Sequence, residues 1–318
     1  MLEVKNLRTA FTVGDKTVHA VDDISFEIPE KTTVGLVGES GSGKSVTSLS
    51  ILNLLPPNGR IQSGEILWNG QDVLKKSPKE LQKMRGGDIA LIFQNPLSAL
   101  NPVFTVGNQM IETIRLHRKV SKEEAKAAAI ELLRKVRIPD PETRINDYPH
   151  QFSIGMCQRI MIALTLSMNP KLLIADEPTA SLDVTIQAQV LELIESIKRE
   201  FNLSVFLISH DLGVIAQHCD YILIMYLGKI VEKGTPEQIF GSPKHPYTQA
   251  LLASIPTPDP SKKKKVEIVA GDMPSPMNVP PGCRFHTRCP HVMERCKKEV
   301  PPFYSVGSQA ACFLYVDQ

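Results

Sequence analysis

The stretch Gly38-Glu39-Ser40-Gly41-Ser42-Gly43-Lys44-Ser45 constrains this chain more than any other. It follows the pattern G-x-x-x-x-G-K-[ST], in which a glycine-rich loop cradles a row of phosphates. Such a loop needs a buried strand before it and a helix after it. Thr33-Val34-Gly35-Leu36-Val37 is an apolar run of strand type, and Val46 to Leu52 can continue as a helix. The glycines let the backbone curl around an anion without Cβ clashes. Backbone N–H groups and the helix N-terminus then face the phosphates. In this setting Lys44 reaches the β- and γ-phosphates and the Ser45 hydroxyl holds Mg²⁺. Gly38, Ser40, Gly41, Ser42, Gly43, Lys44, Ser45 and Val46 are the candidate nucleotide contacts. A pattern this short also recurs as a plain glycine-rich turn, so the rest of the chain has to agree with it.

Composition sets the frame for that test. The chain has 318 residues, 42% of them hydrophobic and 22% charged, the profile of a globular protein with a full core. A net charge of +2 gives no general pull toward nucleic acid. The Lys262–Lys265 run is the strongest charge block and reads as part of a solvated linker. No apolar run reaches bilayer length; the longest, Tyr221 to Leu227, is strand-sized. The N-terminus lacks a signal-peptide profile, so the chain is expected to stay in the cytosol, where cysteines serve as thiols or metal ligands more than as disulfides.

Taken in order, Leu2 to Leu7 and Val18 to Ile28 alternate like half-buried strands, and Gly64 to Trp68 leads into an Asn69-Gly70 hairpin turn. These predict a small antiparallel sheet. Phe11 is placed in a turn between the first two strands, free either to stack on an adenine or to pack in the core. Ile89 to Phe93 is a strand ending at Gln94, a residue type that can bind Mg²⁺ and orient water beside a phosphate. Ser121 and Glu124 form a capping box for a helix to Val136, with Ala125, Ala129, Leu132 and Leu133 on its apolar stripe. Residues 95–168 thus read as a mostly helical insertion. Leu172 to Glu177 is an apolar strand ending in two acids, Asp176 for Mg²⁺ and Glu177 to polarise the attacking water. Val184 to Phe201 is an amphipathic helix. Leu203 to Ile208 is a buried strand followed by Ser209-His210-Asp211, where His210 is either structural or a γ-phosphate contact. Tyr221 to Lys233 reads as a hairpin turning at Gly228. Seven prolines from Pro256 to Pro281 mark a linker.

With Gln94, Asp176-Glu177 and His210 in this order, the sequence resembles the ATPase subunits of ABC transporters over nearly its whole length. The family's signature, Leu-Ser-Gly-Gly-Gln, is matched by Phe152-Ser153-Ile154-Gly155-Met156, with Ile154 and Met156 as departures. Its dimer-crossing loop is matched by Ser181-Leu182-Asp183. The stretches Phe93 to Gly107, His245-Pro246-Tyr247 to Leu252, and Pro281 to Pro290 resemble the dipeptide/oligopeptide importers, a group that includes nickel and oligosaccharide systems.

The resemblance implies an α/β fold. A P-loop NTPase (RecA-like) core would carry an N-terminal antiparallel β-subdomain, a helical signature subdomain and a small Cys-rich C-terminal extension. The implied divisions are 1–94, 95–168, 169–242 and 243–318. It implies hydrolysis of ATP with Mg²⁺ between the phosphate loop of one subunit and Ser153, Gly155 and Asp183 of another. The partners implied are a second related ATPase, two permease subunits and an extracytoplasmic substrate-binding protein, with the chain on the cytoplasmic face of the membrane and no nucleic acid. A soluble ABC ATPase would carry two cassettes or a long coiled-coil insertion, and a GTPase an Asn-Lys-x-Asp motif; neither is found in the sequence. Ile154, where the family has glycine, implies that two composite ATP sites would be unequal.

Cys283, Cys289, Cys296 and Cys312 are spaced C-x5-C, C-x6-C and C-x15-C, without the C-x-x-C of common zinc ribbons. Four thiolates suit zinc or an iron–sulfur cluster, and unligated thiols remain open. The importer resemblance implies a [4Fe–4S] cluster. Their distance along the chain from the ATP motifs points to a structural role. Cys157 and Cys219 read as ordinary buried thiols.

Overall fold

The computed structural model describes residues 1–180, 182–254 and 273–316. Ser181, the Lys262–Lys265 run and most of the expected linker lie outside the described residues. The strands are β1 (Leu2–Val13), β2 (Lys16–Ile28), β3 (Thr33–Val37), β4 (Gly59–Trp68), β5 (Gln71–Asp72), β6 (Ile89–Ile92), β7 (Leu172–Asp176), β8 (Ser204–Ser209), β9 (Tyr221–Tyr226), β10 (Lys229–Gly234), β11 (Tyr304–Val306) and β12 (Ser308–Ala310). The helices are α1 (Lys44–Ile51), α2 (Pro78–Gly87), α3 (Pro96–Ala99), α4 (Val106–His117), α5 (Lys122–Lys135), α6 (Pro141–Arg144), α7 (Ile154–Leu166), α8 (Val184–Phe201), α9 (Leu212–His218), α10 (Pro236–Gly241) and α11 (Pro246–Ala253). They form two compact units. One holds Met1–Pro29, Thr33–Leu74 and Leu207–Gln318; the other holds Glu30–Thr32 and Lys75–Phe206. Among the described residues no helix is long and apolar enough to cross a membrane.

In the first unit an antiparallel sheet runs β2-β1-β4-β5. Its buried face is supplied by the alternation of Leu2 and Val4 on β1 and of Ile24, Phe26 and Ile28 on β2. Asn69 (φ 49°) and Gly70 (φ 77°) both take left-handed backbone, as a two-residue hairpin turn with the twist of its strands requires. One point of the sequence reading is corrected. Phe11 is not in a turn: it lies inside β1, opposite Val18 of β2 and Gly59 of β4. Its ring covers Gly59, where a Cβ would come within 2.7 Å of it.

The same unit contains a second run of strands, β11-β12-β10-β9-β3. Strand β3 is buried along its full length and pairs in parallel with β9, Val34 opposite Tyr221 and Val37 opposite Ile224. Each buried Leu, Ile or Val contributes roughly 1.5–3 kcal/mol relative to exposure, so this seam anchors the loop that follows β3. The β9–β10 hairpin turns at Leu227 and Gly228, both at positive φ. Late in the chain, β12 pairs with β10 and β11 with β12.

In the second unit β6 and β7 pair in parallel, Ile89 opposite Leu172. Helix α5 begins with the expected capping box of Ser121 and Glu124 and buries Ala125, Ala129, Leu132 and Leu133. Helix α7 buries eight of its side chains, among them Ile160, Ile162 and Leu166.

Candidate functional site

The loop after β3 has the shape its glycines require. Gly41 (φ 80°) and Gly43 (φ 108°) occupy backbone that a side chain disfavours. A Cβ on Gly38 would stand 2.1 Å from the Met225 carbonyl oxygen, and one on Gly43 would stand 2.4 Å from that of Ala20. Gly43 is the N-cap of α1, which has no side-chain cap and no acidic residue in its first turn. Its leading N–H groups and positive dipole end therefore suit an anion. Lys44 is buried, and its Nζ donates to the carbonyls of Gly38 (2.8 Å) and Glu39 (3.1 Å). The Ser42 hydroxyl is buried without a hydrogen-bond partner among the described residues. A loop of this curvature, with a buried ammonium and an orphaned hydroxyl, fits a chain of phosphates.

Glu39 is held at three points. Its N–H donates to Tyr247 Oη at 3.0 Å, its carbonyl accepts from Lys44, and its carboxylate accepts from Arg288 Nη1 at 3.1 and 3.2 Å. Tyr247 and Arg288 lie 208 and 249 positions further along the chain. The sequence contained them, in His245-Pro246-Tyr247 and the run around Cys289, as marks of a subfamily without a role. Separation along the chain is thus no guide here: Tyr247 and Arg288 touch the phosphate loop directly. His210 is exposed just after β8, before Asp211, which caps α9 by accepting from Gly213 and Val214.

In the second unit, Gln94 follows β6 and Glu177 follows β7, and Gln94 Nε2 donates to Glu177 Oε2 at 3.1 Å. Glu177 takes a left-handed backbone (φ 48°), unusual for a residue with a side chain. Asp176 ends β7 and is nearly buried. The signature match sits at the start of α7. Ser153 is the N-cap, its hydroxyl accepting from the Met156 N–H. A Cβ on Gly155 would meet Ile186 Cγ2 at 2.8 Å, so glycine permits close contact with α8. Ile154 is 45% exposed. Asp183 caps α8 by accepting from the Ile186 N–H.

Cys283, Cys289, Cys296 and Cys312 line one small cavity in the first unit, together with His245 and Phe285. Burial, reinforced by the neighbouring thiols, pushes Cys283 and Cys312 up to about 11. Among the described residues no group of three or more His, Cys, Asp or Glu stands close enough to hold a metal ion. The metal expectation is corrected to that extent: the thiols share a cavity without converging on a point. Cys157 and Cys219 are buried, outside this group.

An ABC transporter family profile matches residues 21–180, and an oligopeptide/dipeptide transporter C-terminal region profile matches residues 231–296. The chain is 46% identical over 321 residues to the oligopeptide transport ATP-binding protein AppD of Bacillus subtilis (strain 168), covering 100% of this chain and 98% of that protein. It is 48% identical over 302 residues to the dipeptide transport ATP-binding protein DppD of the same organism, covering 95% and 90%. It is 44% identical over 320 residues to the oligopeptide transport ATP-binding protein OppD of Salmonella typhimurium, covering 100% and 95%. A solved dimeric ATP-binding cassette in a post-hydrolysis state, bound to ADP and phosphate, superposes with a TM-score of 0.67 at 26% identity, covering 74% of this chain and 99% of that one.

Proposed function

The chain belongs to the ABC transporter family, and from that premise we propose that it hydrolyses ATP to drive import of di- or oligopeptides. The observation that carries the ATP reading is the phosphate loop, with its helix start free of a side-chain cap, its buried Lys44 and a Ser42 hydroxyl that has no partner among the described residues. The peptide cargo is supported by the C-terminal region profile and by the names of relatives near 45% identity. Nickel or oligosaccharide is the alternative cargo.

The roles follow the family's motif order. The loop N–H groups, Ser40 to Val46, and Lys44 bind the β- and γ-phosphates. Ser45, Gln94 and Asp176 would hold Mg²⁺, which neutralises charge on the phosphates. Glu177 accepts a proton from the water that attacks the γ-phosphorus, and Gln94, already bonded to Glu177, orients that pair. His210 contacts the departing phosphate. Phe11 stays a candidate adenine contact. Ser153, Gly155 and Asp183 serve the ATP held by a partner ATPase. Phosphoryl transfer requires positioning and charge stabilisation, with no covalent enzyme intermediate.

The divisions 1–94, 95–168, 169–242 and 243–318 are proposed as the core's first part, the helical signature subdomain, the core's second part and the extension. The assembly we propose pairs this chain with a related ATPase beneath two permeases on the cytoplasmic membrane face, fed by a substrate-binding protein. The cysteine cavity is proposed to hold a [4Fe–4S] cluster through Cys283, Cys289, Cys296 and Cys312. Its support is the resemblance to the importers together with four thiols lining one cavity, a donor set that zinc also accepts. Lys44→Ala tests the central reading. ATP binding by calorimetry should disappear while the melting temperature stays near that of the parent chain; retained binding would remove the assignment.

A further inference from the structure

The phosphate loop and the Cys-rich extension meet at Glu39. Its carboxylate lies against Arg288, which is 10% exposed while Glu39 is 31% exposed, so solvent screens the pair mainly from the carboxylate side. Arg288 Nη1 also reaches Tyr226 Oη at 3.4 Å, and its guanidinium lies 5.8 Å from the Tyr226 ring and 5.9 Å from that of Phe285. Those rings belong to a buried aromatic group. Tyr226 and Tyr247 have centroids 4.6 Å apart, and Phe285 lies 5.3 Å from Tyr226 and 5.5 Å from Tyr247. Phe285 also lines the thiol cavity. Tyr247 is fully buried, with its hydroxyl on the Glu39 N–H. A planar guanidinium between two rings and a carboxylate has little freedom to move. The carbonyl of that same Glu39 accepts from Lys44, which fixes where the ammonium waits.

We propose that Tyr247 and Arg288 are positioning residues for ATP: they fix Glu39, and through it the loop that Lys44 serves. They touch no phosphate. Their effect is to hold the loop in its binding shape before nucleotide arrives, so that ATP does not have to order it. This rests on the reading of the loop as an ATP site.

The test is a cycle of variants in the full chain, with Mg²⁺-ATP affinity measured by calorimetry well below the melting transition. Arg288→Gln and Glu39→Gln should each weaken binding about fivefold, which converts to ~1 kcal/mol of a charge-assisted hydrogen bond. The double variant should be no weaker than either single one, because both remove one interaction. Arg288→Lys should restore part of the loss. Tyr247→Phe keeps the ring packing and removes only the acceptor of the Glu39 N–H, so it should also weaken binding. Glu39→Gln lies outside the aromatic group and stays informative even where Arg288 variants fold poorly. Unchanged affinity in Glu39→Gln and Tyr247→Phe, or losses in the double variant that multiply, would overturn the proposal. Lys44→Ala serves as the separate control. ATP binding retained in Lys44→Ala overturns the ATP site itself. Binding lost there but untouched by Glu39→Gln overturns the positioning role alone.

Discussion

Gly38 opens the phosphate loop directly against the backbone of β9. The motif demands glycine, and the structure gives the reason: a Cβ would stand 2.1 Å from the backbone oxygen of Met225. A backbone atom in a paired strand cannot rotate aside as a side chain can, so Gly38→Ala has to displace the loop or β9. A stability loss of roughly 1–3 kcal/mol is expected, as for overpacking elsewhere. ATP binding should fall more steeply than the melting temperature, because the displaced part is the loop itself. Thermal denaturation and calorimetry on the same preparation check this; wild-type affinity in Gly38→Ala would show that the loop absorbs a methyl group. The partners of Glu39 were illegible for a different reason. Tyr247 and Arg288 lie 208 and 249 positions away, and no local pattern encodes a contact at that separation.

Elements with strong local chemistry were legible to within a residue. Asp183 and the apolar stripe delimit α8 as Val184–Phe201, and Ser121 with Glu124 delimits α5. Strand β1 was seen only to Leu7, because shifts of register between Val4 and Leu7 and again between Leu7 and Thr9 break the two-residue period by which a strand is recognised. Phe11 was misplaced for that reason. In the extension, spacing named the four cysteines but could not show that they enclose a cavity. Burial pushes the Cys283 and Cys312 thiols up to about 11, so ligation at these two has to expel protons. Full-length protein purified without oxygen is expected to be brown and to contain iron and sulfide in equal amounts. Cys312→Ser should bleach it. Through the Arg288 contact the same change should also weaken ATP binding. Zinc without iron would decide for the alternative, and neither metal would leave four plain thiols.

At the scale of the whole assembly, the departure at Ile154 predicts that the two ATP sites a pair of ATPases would form are unequal. Gly155 is turned toward Ile186, so the tight packing of α7 on α8 occupies that side. Ile154, the first residue of α7, is left 45% exposed at the helix start, where Ser153 is the cap. A β-branched side chain there adds bulk where the family has none, and it denies the backbone the conformations open to glycine. The site expected to suffer is the one that would be built on a partner's phosphate loop, since this chain's own Lys44, Asp176, Glu177 and His210 match the family. In the assembled transporter, Glu177→Gln should therefore cut turnover by on the order of 10²–10⁴-fold, the usual contribution of a general base. The equivalent change in the partner should cost far less. Ile154→Gly should raise the rate of the weaker site, seen as recovered turnover when it is combined with Glu177→Gln. Equal losses from the two acid substitutions, with no gain from Ile154→Gly, would mean that the exposed isoleucine faces solvent in the assembly and that the Gly155 N–H alone suffices for the partner's nucleotide.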